Sequence, residues 1–207
     1  SVGRFADEVE RAREAELARR VAEADILRRS EERLQTALEA ADLGTWEFDP
    51  LTDTTTERSL RHDQMYGYAE LQPEWGRRIA ERHVLEDDRP AFVAAIERAL
   101  ATGMLEVEYR VRWPDGSVHW LAARGRTRYD ASGRAVRMAG VLADVTSRRT
   151  ADTAVRESEE RFRLMADGLP LIIWVHDAQG RQEMVNATFC EFFGVAREDM
   201  REGRWRM

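Results

Sequence analysis

The side chains of this sequence that could carry redox, acid–base or metal chemistry are few and far apart. The histidines are His62, His83, His119 and His176, and none has another histidine or a cysteine at the spacing of a metal site. The single cysteine, Cys190, cannot form an internal disulfide and fits a reducing compartment. A lone histidine can ligate haem iron, but it is more often an ordinary surface or core residue. We therefore expect no metal site and no catalytic residue in this chain.

Three adjacent carboxylates, Glu86, Asp87 and Asp88, stand just before Pro90 and could in principle bind a cation. The run is better explained as a helix start, because an Asp side chain can accept hydrogen bonds from first-turn amides and proline needs no backbone donor there. The sequence contains no glycine-rich phosphate loop, phospho-acceptor histidine motif or nucleotide-binding box.

Asp144 and Thr146 stand where an apolar strand pattern gives way to a helix that begins near Ser147. Their side-chain oxygens can accept hydrogen bonds from the otherwise unpaired first-turn amides of that helix. Arg148 is close enough in sequence to pair with a carboxylate. Two interpretations stay open here, an ordinary helix cap worth about 1 kcal/mol and a mechanical link between sheet and helix.

The elements that would position these residues occur in two copies. A four-residue motif and a tryptophan each recur 128 residues later. The motif is Ser30-Glu31-Glu32-Arg33, repeated as Ser158-Glu159-Glu160-Arg161, and the tryptophan is Trp46, repeated as Trp174. Self-similarity at a fixed period indicates tandem copies of one domain. We expect the second copy to be incomplete and the chain to be a piece of a longer protein. The expected segments are a coiled-coil signalling helix (1–34), a complete domain (35–146), a linker helix (147–165) and the truncated start of a second domain (166–207).

Both copies are preceded by a helical pattern, and residues 4–42 contain no Gly or Pro. Leu27 and Leu34 occupy the same register of the repeat as Val155 and Phe162. Apolar residues at 3–4 spacing predict the seam of a two-stranded coiled coil, and hence a homodimer. A single amphipathic helix packing on its own domain is the alternative.

Between these helices the period changes to that of strands. Strand patterns cover 45–49, 54–58, 105–113, 117–129 and 135–145, and the last three are joined by tight turns at Pro114-Asp115-Gly116 and Asp130 to Gly133. Short helices interrupted at Gly67, Pro73 and Gly76 come between the second and third strands, followed by a longer helix that ends at Gly103. This order predicts an α+β fold with a five-stranded antiparallel sheet and short helices on one face.

Several short motifs in this order resemble the PAS domain family, in the subtype that ends with a PAC motif. They are Trp46-Glu47-Phe48-Asp49, Tyr66-Gly67-Tyr68, Glu86-Asp87-Asp88-Arg89, Tyr109-Arg110-Val111-Arg112, Pro114-Asp115-Gly116-Ser117, His119-Trp120-Leu121, and Gly140 through Asp144-Val145-Thr146. Where the family often has His-Pro before the paired Asp, Val84-Leu85-Glu86 stands here. The resemblance implies a sensory cup that binds a small molecule, with the strand-end Asp-x-Thr passing strain into the helix that follows.

The cup implied by the resemblance would be lined by apolar residues of the sheet and the helices. They are Trp46, Phe48, Met65, Tyr66, Phe92, Ile96, Val107, Tyr109 and Val111. The same set of apolar residues would also form a filled, ligand-free core, and apolar residues at this spacing more often belong to a core than to a cavity. A flavin photosensor of the family needs a core cysteine, which the complete copy lacks. We therefore expect no cofactor, although haem or flavin stays open.

Composition narrows the function further. A net charge of −7 and a pI of about 5.3 argue against nucleic-acid binding. No apolar run reaches the roughly 18 residues of a membrane span, so we expect a cytoplasmic protein. The sequence favours the sensory and dimerisation region of a bacterial signalling protein, of the sensor histidine kinase type. The alternatives are a ligand-free structural dimeriser, a haem or flavin redox sensor, and the input region of a cyclic-dinucleotide enzyme.

Overall fold

The structure, a computed structural model, describes residues 2–197, and the chain divides into two compact units, Ser1–Thr146 and Ser147–Met207. The elements of the first unit are α1 (Val2–Ala40), β1 (Gly44–Asp49), β2 (Thr54–Arg58), α2 (Leu60–Gln64), α3 (Arg77–His83), α4 (Arg89–Thr102), β3 (Met104–Arg112), β4 (Val118–Tyr129) and β5 (Ala135–Asp144). Helix α5 (Thr146–Asp167) begins at the boundary. The second unit continues with β6 (Trp174–His176), β7 (Gln182–Val185) and α6 (Ala187–Phe193).

The first unit is built on a five-stranded antiparallel sheet in the order β2-β1-β5-β4-β3. Strands β3, β4 and β5 form a meander, and β1 returns to pair with β5 at the centre. The predicted α+β fold is confirmed. The coiled-coil character of α1 and α5 stays a prediction.

One face of this sheet is apolar because side chains alternate along each strand. In β3, Leu105, Tyr109 and Val111 are buried while Glu106 and Glu108 are exposed. Helices α2, α3 and α4 contribute the other side of the core, and Phe92 and Ile96 of α4 are among its buried residues. Phe92 and Ile96, which the sequence analysis placed in the apolar cup, therefore lie in the core between α4 and the sheet.

The start of α4 differs from the expectation in one respect. The helix begins at Arg89 with Pro90 in its first turn, as predicted, but the Asp88 side chain makes no cap hydrogen bond. Its carboxylate instead accepts from the Arg110 guanidinium at 2.6 and 2.9 Å and from the Arg110 backbone N–H at 2.8 Å. An ion pair with Arg110 through two side-chain hydrogen bonds and one backbone hydrogen bond outcompetes a single cap bond. Asp88 thus joins α4 to β3.

The residues of the proposed dimer seam lie on the surface of their helices. Leu27 and Leu34 of α1 are 60% and 62% exposed, and Val155 and Phe162 of α5 are 59% and 52% exposed. Large apolar side chains left exposed at a regular spacing favour a partner helix over packing against the chain's own domain. The dimer stays a prediction.

The second unit contains a short antiparallel hairpin of β6 and β7 followed by α6. Asn186 organises it: its carbonyl oxygen caps α6 by accepting from the Phe189 N–H, and its amide donates to the backbone oxygens of Ala166 and Leu171. Cys190 is half-buried and packs in the small apolar cluster that contains Phe189. Among the described residues, no helix is both long and apolar enough to cross a membrane.

Candidate ligand cavity and output junction

A cavity of about 70 Å³ lies between the inner face of the sheet and helices α2, α3 and α4. Six of the nine residues predicted to line a cup do line it: Trp46, Phe48, Tyr66, Phe92, Ile96 and Tyr109. The other three are in the core but away from the cavity wall, where Met65 and Val111 are fully buried and Val107 packs at the edge. Ligand binding by these residues stays a prediction.

Trp46 shapes the sheet side of this cavity. In the strand register it lies beside Gly140, which in turn lies opposite Gly125. A Cβ at either glycine would come within 2.8 Å of the Trp46 ring, and at Gly140 it would also reach 2.0 Å from the Arg124 backbone oxygen. The two glycines therefore provide the space that the indole occupies.

Sequence reasoning missed the polar part of the cavity wall. Thr55, His62, Trp75 and Arg77 also line it. Three of them, His62, Trp75 and Arg77, lie in residues 59–77, which show no regular apolar period, so nothing in the pattern indicated which side chains turn inward. Thr55 was expected only as part of a strand.

His62 belongs to a buried charged network. Its Nδ1 lies 2.9 Å from Oδ1 of Asp63, and the Asp63 carboxylate also accepts from Arg58 Nε at 2.7 Å and from the Gln72 backbone N–H at 2.7 Å. Burial favours neutral Asp63, but the hydrogen bonds from His62, Arg58 and Gln72 outweigh it and lower its pKa from 3.8 to about 2. Burial, only partly offset by Asp63, lowers the pKa of His62. Near neutral pH the network therefore holds an ionised Asp63 beside a neutral His62.

Two tyrosines form a second buried polar pair in the same cavity wall. The hydroxyl oxygens of Tyr66 and Tyr109 are 2.8 Å apart, and both side chains are 2% exposed. Burial raises the pKa of Tyr66, and it raises the pKa of Tyr109 against a smaller opposing effect of the Tyr66 hydroxyl. Both phenols are therefore protonated at any physiological pH.

The remaining predicted haem candidates do not face this cavity. His83 is held between Tyr68, whose hydroxyl is 2.8 Å from Nε2, and the Ile79 backbone oxygen, 2.9 Å from Nδ1. His176 lies exposed on β6. Of the four histidines, which all lie in the described part of the chain, His62 alone lines the cavity.

Haem and flavin do not fit the cavity. Sites for ligands of drug or cofactor size usually enclose about 300–1,000 Å³, several times the 70 Å³ enclosed here. The first unit also has no cysteine to react with a flavin. Among residues 2–197 no group of His, Cys, Asp and Glu side chains could hold a metal ion.

The predicted relay residues meet at the end of the sheet. Asp144 Oδ1 accepts from the Thr146 backbone N–H at 2.8 Å, the first amide of α5, as expected for a cap. The Thr146 hydroxyl oxygen behaves differently from the expectation: it accepts from the Trp120 backbone N–H at 2.9 Å and so ties the helix to β4. Arg148 lies exposed in the first turn of α5.

A further contact, which the sequence did not reveal, connects this junction to the cavity side of the domain. Asp144 Oδ2 lies 3.1 Å from Nδ1 of His119, and the His119 ring stacks on Trp113 with ring centres 3.6 Å apart and an 8° tilt. The Trp113 indole N–H donates to the backbone oxygen of Met65 at 2.9 Å, at the end of α2. Direct contacts therefore run from α2, which carries His62, to the first turn of α5.

Comparison with known proteins supports the fold described above. Residues 57–142 match the PAS fold family, and residues 160–206 match the PAS domain family. The region 57–142 belongs to the PAS fold family. The five-stranded antiparallel sheet with helices on one face is a PAS-like fold, as the order of the sequence motifs implied.

Several of the proteins that resemble this chain are named as bacterial sensors or histidine kinases. The Two-component sensor PprA of Pseudomonas aeruginosa is 32% identical over 129 residues, which are 62% of this chain and 14% of that protein. The Blue-light-activated histidine kinase of Brucella anthropi is 29% identical over 140 residues, 65% of this chain and 28% of that protein. The chain thus spans less than a third of the length of either relative.

Among solved structures, the Sensory Box Histidine Kinase/Response Regulator of Burkholderia thailandensis is 32% identical to this chain. The match covers 63% of this chain and 98% of that structure, with a TM-score of 0.55.

Proposed function

We propose that this chain is the sensory and dimerisation region of a cytoplasmic bacterial signalling protein of the sensor histidine kinase type. The observation that carries the proposal is the line of contacts from Met65 through Trp113 and His119 to Asp144. A change in the position of α2 must disturb these contacts, because packed rings and hydrogen-bonded groups have few alternative arrangements. The relatives named as a two-component sensor and a histidine kinase support the same class of output.

The signal would leave the domain through α5. Strand β5 ends at Asp144 and α5 begins at Thr146, so no flexible linker absorbs a shift of the strand. The Asp144 carboxylate and the Thr146 hydroxyl hold the first turn to the sheet. We propose that α5 then acts on a second PAS domain, whose first hairpin and helix are β6, β7 and α6.

Dimerisation would bring two such helices together. The exposed positions Leu27 and Leu34, and Val155 and Phe162, offer one seam on α1 and one on α5. In this arrangement a rotation of α5 within the dimer becomes the output of the domain.

The second candidate is a structural dimeriser that binds no ligand, and the small size of the cavity favours it. The experiment that separates the two candidates uses the full-length protein. Asp144→Ala should lock the output in one state, and a two-residue insertion between Thr146 and Ser147 should uncouple the output further by rotating the seam. Asp144→Ala should cost only about 1 kcal/mol of folding stability.

The matched control for this experiment is Asp130→Ala. Asp130 accepts three hydrogen bonds within its own turn, two of them from the backbone N–H groups of Ser132 and Arg134, but lies away from the junction. Asp130→Ala should leave the signal response unchanged while costing about as much folding stability as Asp144→Ala. A normal response in both junction variants, at normal expression, would mean that the junction is only a helix cap.

A further inference from the structure

The PAS cavity presents a hydrogen-bond acceptor that no described residue uses. Asp63 is ionised and can only accept hydrogen bonds, so the contact with His62 requires the proton to be on Nδ1 of the imidazole. Nε2 of a neutral His62 then carries a lone pair. His62 is 4% exposed and lines the cavity, and no residue of the described chain donates to Nε2. This nitrogen is an acceptor available to a ligand.

The same wall presents an unused hydrogen-bond donor, which follows from counting hydrogens. Tyr66 and Tyr109 have two hydroxyl hydrogens between them, and the single contact between their oxygens uses one. In the described part of the chain, no other group accepts a hydrogen bond from either hydroxyl. One tyrosine hydrogen therefore remains for a ligand, and it is costly to leave unpaired in a buried site.

The size and charge of the cavity limit what can bridge these groups. About 70 Å³ holds roughly two water-sized groups at about 30 Å³ each, so a ligand has about two to four heavy atoms. Most of the wall is apolar, which disfavours an ionised ligand. The charge of Arg77, the one cation among the lining residues, is offset by the Asp53 carboxylate at 3.8 Å, although the buried Arg77 Nε donates no hydrogen bond to a described residue.

We propose that the cavity binds a short, neutral alcohol. Its O–H donates to Nε2 of His62, its oxygen accepts from the Tyr66–Tyr109 pair, and its alkyl group packs against Phe92 and Trp46. A single hydroxyl satisfies both the His62 nitrogen and the tyrosine hydrogen, whereas a ketone or an alkane of the same size satisfies one of them or neither. This inference rests on the proposed sensory function and specifies what that function detects.

The test is a methyl NMR titration of the chain with three probes. Propan-2-ol donates and accepts, acetone has nearly the same shape but only accepts, and xenon reports accessible apolar space alone. The expected result is saturable shifts of the Ile96 and Leu142 methyl groups, with propan-2-ol binding roughly two- to tenfold tighter than acetone. That ratio corresponds to one extra net hydrogen bond.

Variants of the two tyrosines test whether the ligand accepts the hydroxyl hydrogen that the Tyr66–Tyr109 pair leaves without a partner. Tyr66→Phe and Tyr109→Phe should each retain propan-2-ol binding, because the remaining hydroxyl still has a hydrogen without a partner. The double variant should lose it while still binding xenon. His62→Phe should bring propan-2-ol and acetone to equal affinity, and the spread of methyl shifts shows whether each variant is folded.

The outcomes separate the two proposals. If xenon binds but propan-2-ol does not, or if propan-2-ol and acetone bind equally to the wild type, the ligand class is wrong and the sensory proposal stands. Equal binding of propan-2-ol by the single and double tyrosine variants would also overturn the ligand class. If no probe shifts the cavity methyl groups, the cavity admits no ligand, and small-molecule sensing at this site fails as well.

Discussion

The indole N–H of Trp113 donates a hydrogen bond of 2.9 Å to the backbone oxygen of Met65. These residues are 48 positions apart, and the bond attaches the end of α2 to the hairpin between β3 and β4. His119 is near the start of β4, the second strand of that hairpin, and its side chain contacts Asp144. The Trp113 bond therefore connects α2, on the cavity side, to the hairpin that carries the Asp144 contact.

Loss of this hydrogen bond should lower the free energy of unfolding. Trp113→Phe keeps a ring that can stack on His119 but leaves the Met65 oxygen without its partner, so unfolding should become easier by about 1–2 kcal/mol. Denaturant unfolding followed by circular dichroism measures the difference. Trp174→Phe, at a position 55% exposed, is the control and should cost much less. Equal stabilities of the two variants would mean that the Trp113 bond does not hold α2.

The buried Asp63 should make folding sensitive to acid. Its pKa is about 2 in the folded protein and 3.8 in its ordinary state, so the ionised form stabilises the fold by about 2 kcal/mol above pH 4. That contribution should be lost as the pH falls from about 4 to about 2. The measurement compares the pH dependence of the unfolding free energy in wild type and Asp63→Asn. Identical slopes in this window would contradict the assigned pKa of Asp63.

Gly140 should tolerate no side chain. Gly140→Ala places a methyl group 2.0 Å from the Arg124 backbone oxygen and 2.7 Å from the Trp46 ring, so the strands or the indole must move. We expect a loss of about 2–4 kcal/mol in thermal or denaturant unfolding, as for overpacking of a core. The neighbouring exposed position provides the control, Ala139→Ser, which should stay within about 0.5 kcal/mol. A Gly140→Ala protein as stable as this control would show that the close approach is relieved at no cost.

The dimer seam makes a prediction about oligomeric state. Leu27→Asp with Leu34→Asp places buried charges in any parallel or antiparallel α1 interface and should give a monomer by light scattering. Ile26→Asp is the matched control, since Ile26 is equally apolar and 69% exposed but lies outside the predicted register. A wild type that is monomeric at high micromolar concentration would remove the basis for this seam.

Much of the fold could be predicted because strands and helices leave periodic patterns. The alternation in β3 and the turn at Asp115 and Gly116 were sufficient to place the meander. The polar wall of the cavity could not be predicted, since His62 is brought to it by an irregular segment whose position depends on tertiary packing. The Asp144 cap was found from sequence because it is local, whereas the His119 contact spans 25 residues and had no local signal.

In the proposed relay, a change at the cavity reaches α5 through His119. Ala80→Leu tests it without a ligand, because Ala80 lines the cavity from α3 and the larger side chain fills it. The measurement is the ¹⁵N–¹H shift and hydrogen exchange of the Thr146 amide, which donates to Asp144. Ala101→Leu, on the exposed side of α4, is the control.

We predict that Ala80→Leu changes both observables at Thr146, that Ala101→Leu changes neither, and that His119→Leu abolishes the response to Ala80→Leu. A Thr146 amide that responds equally with and without His119, or that does not respond to a filled cavity, would contradict the proposed relay.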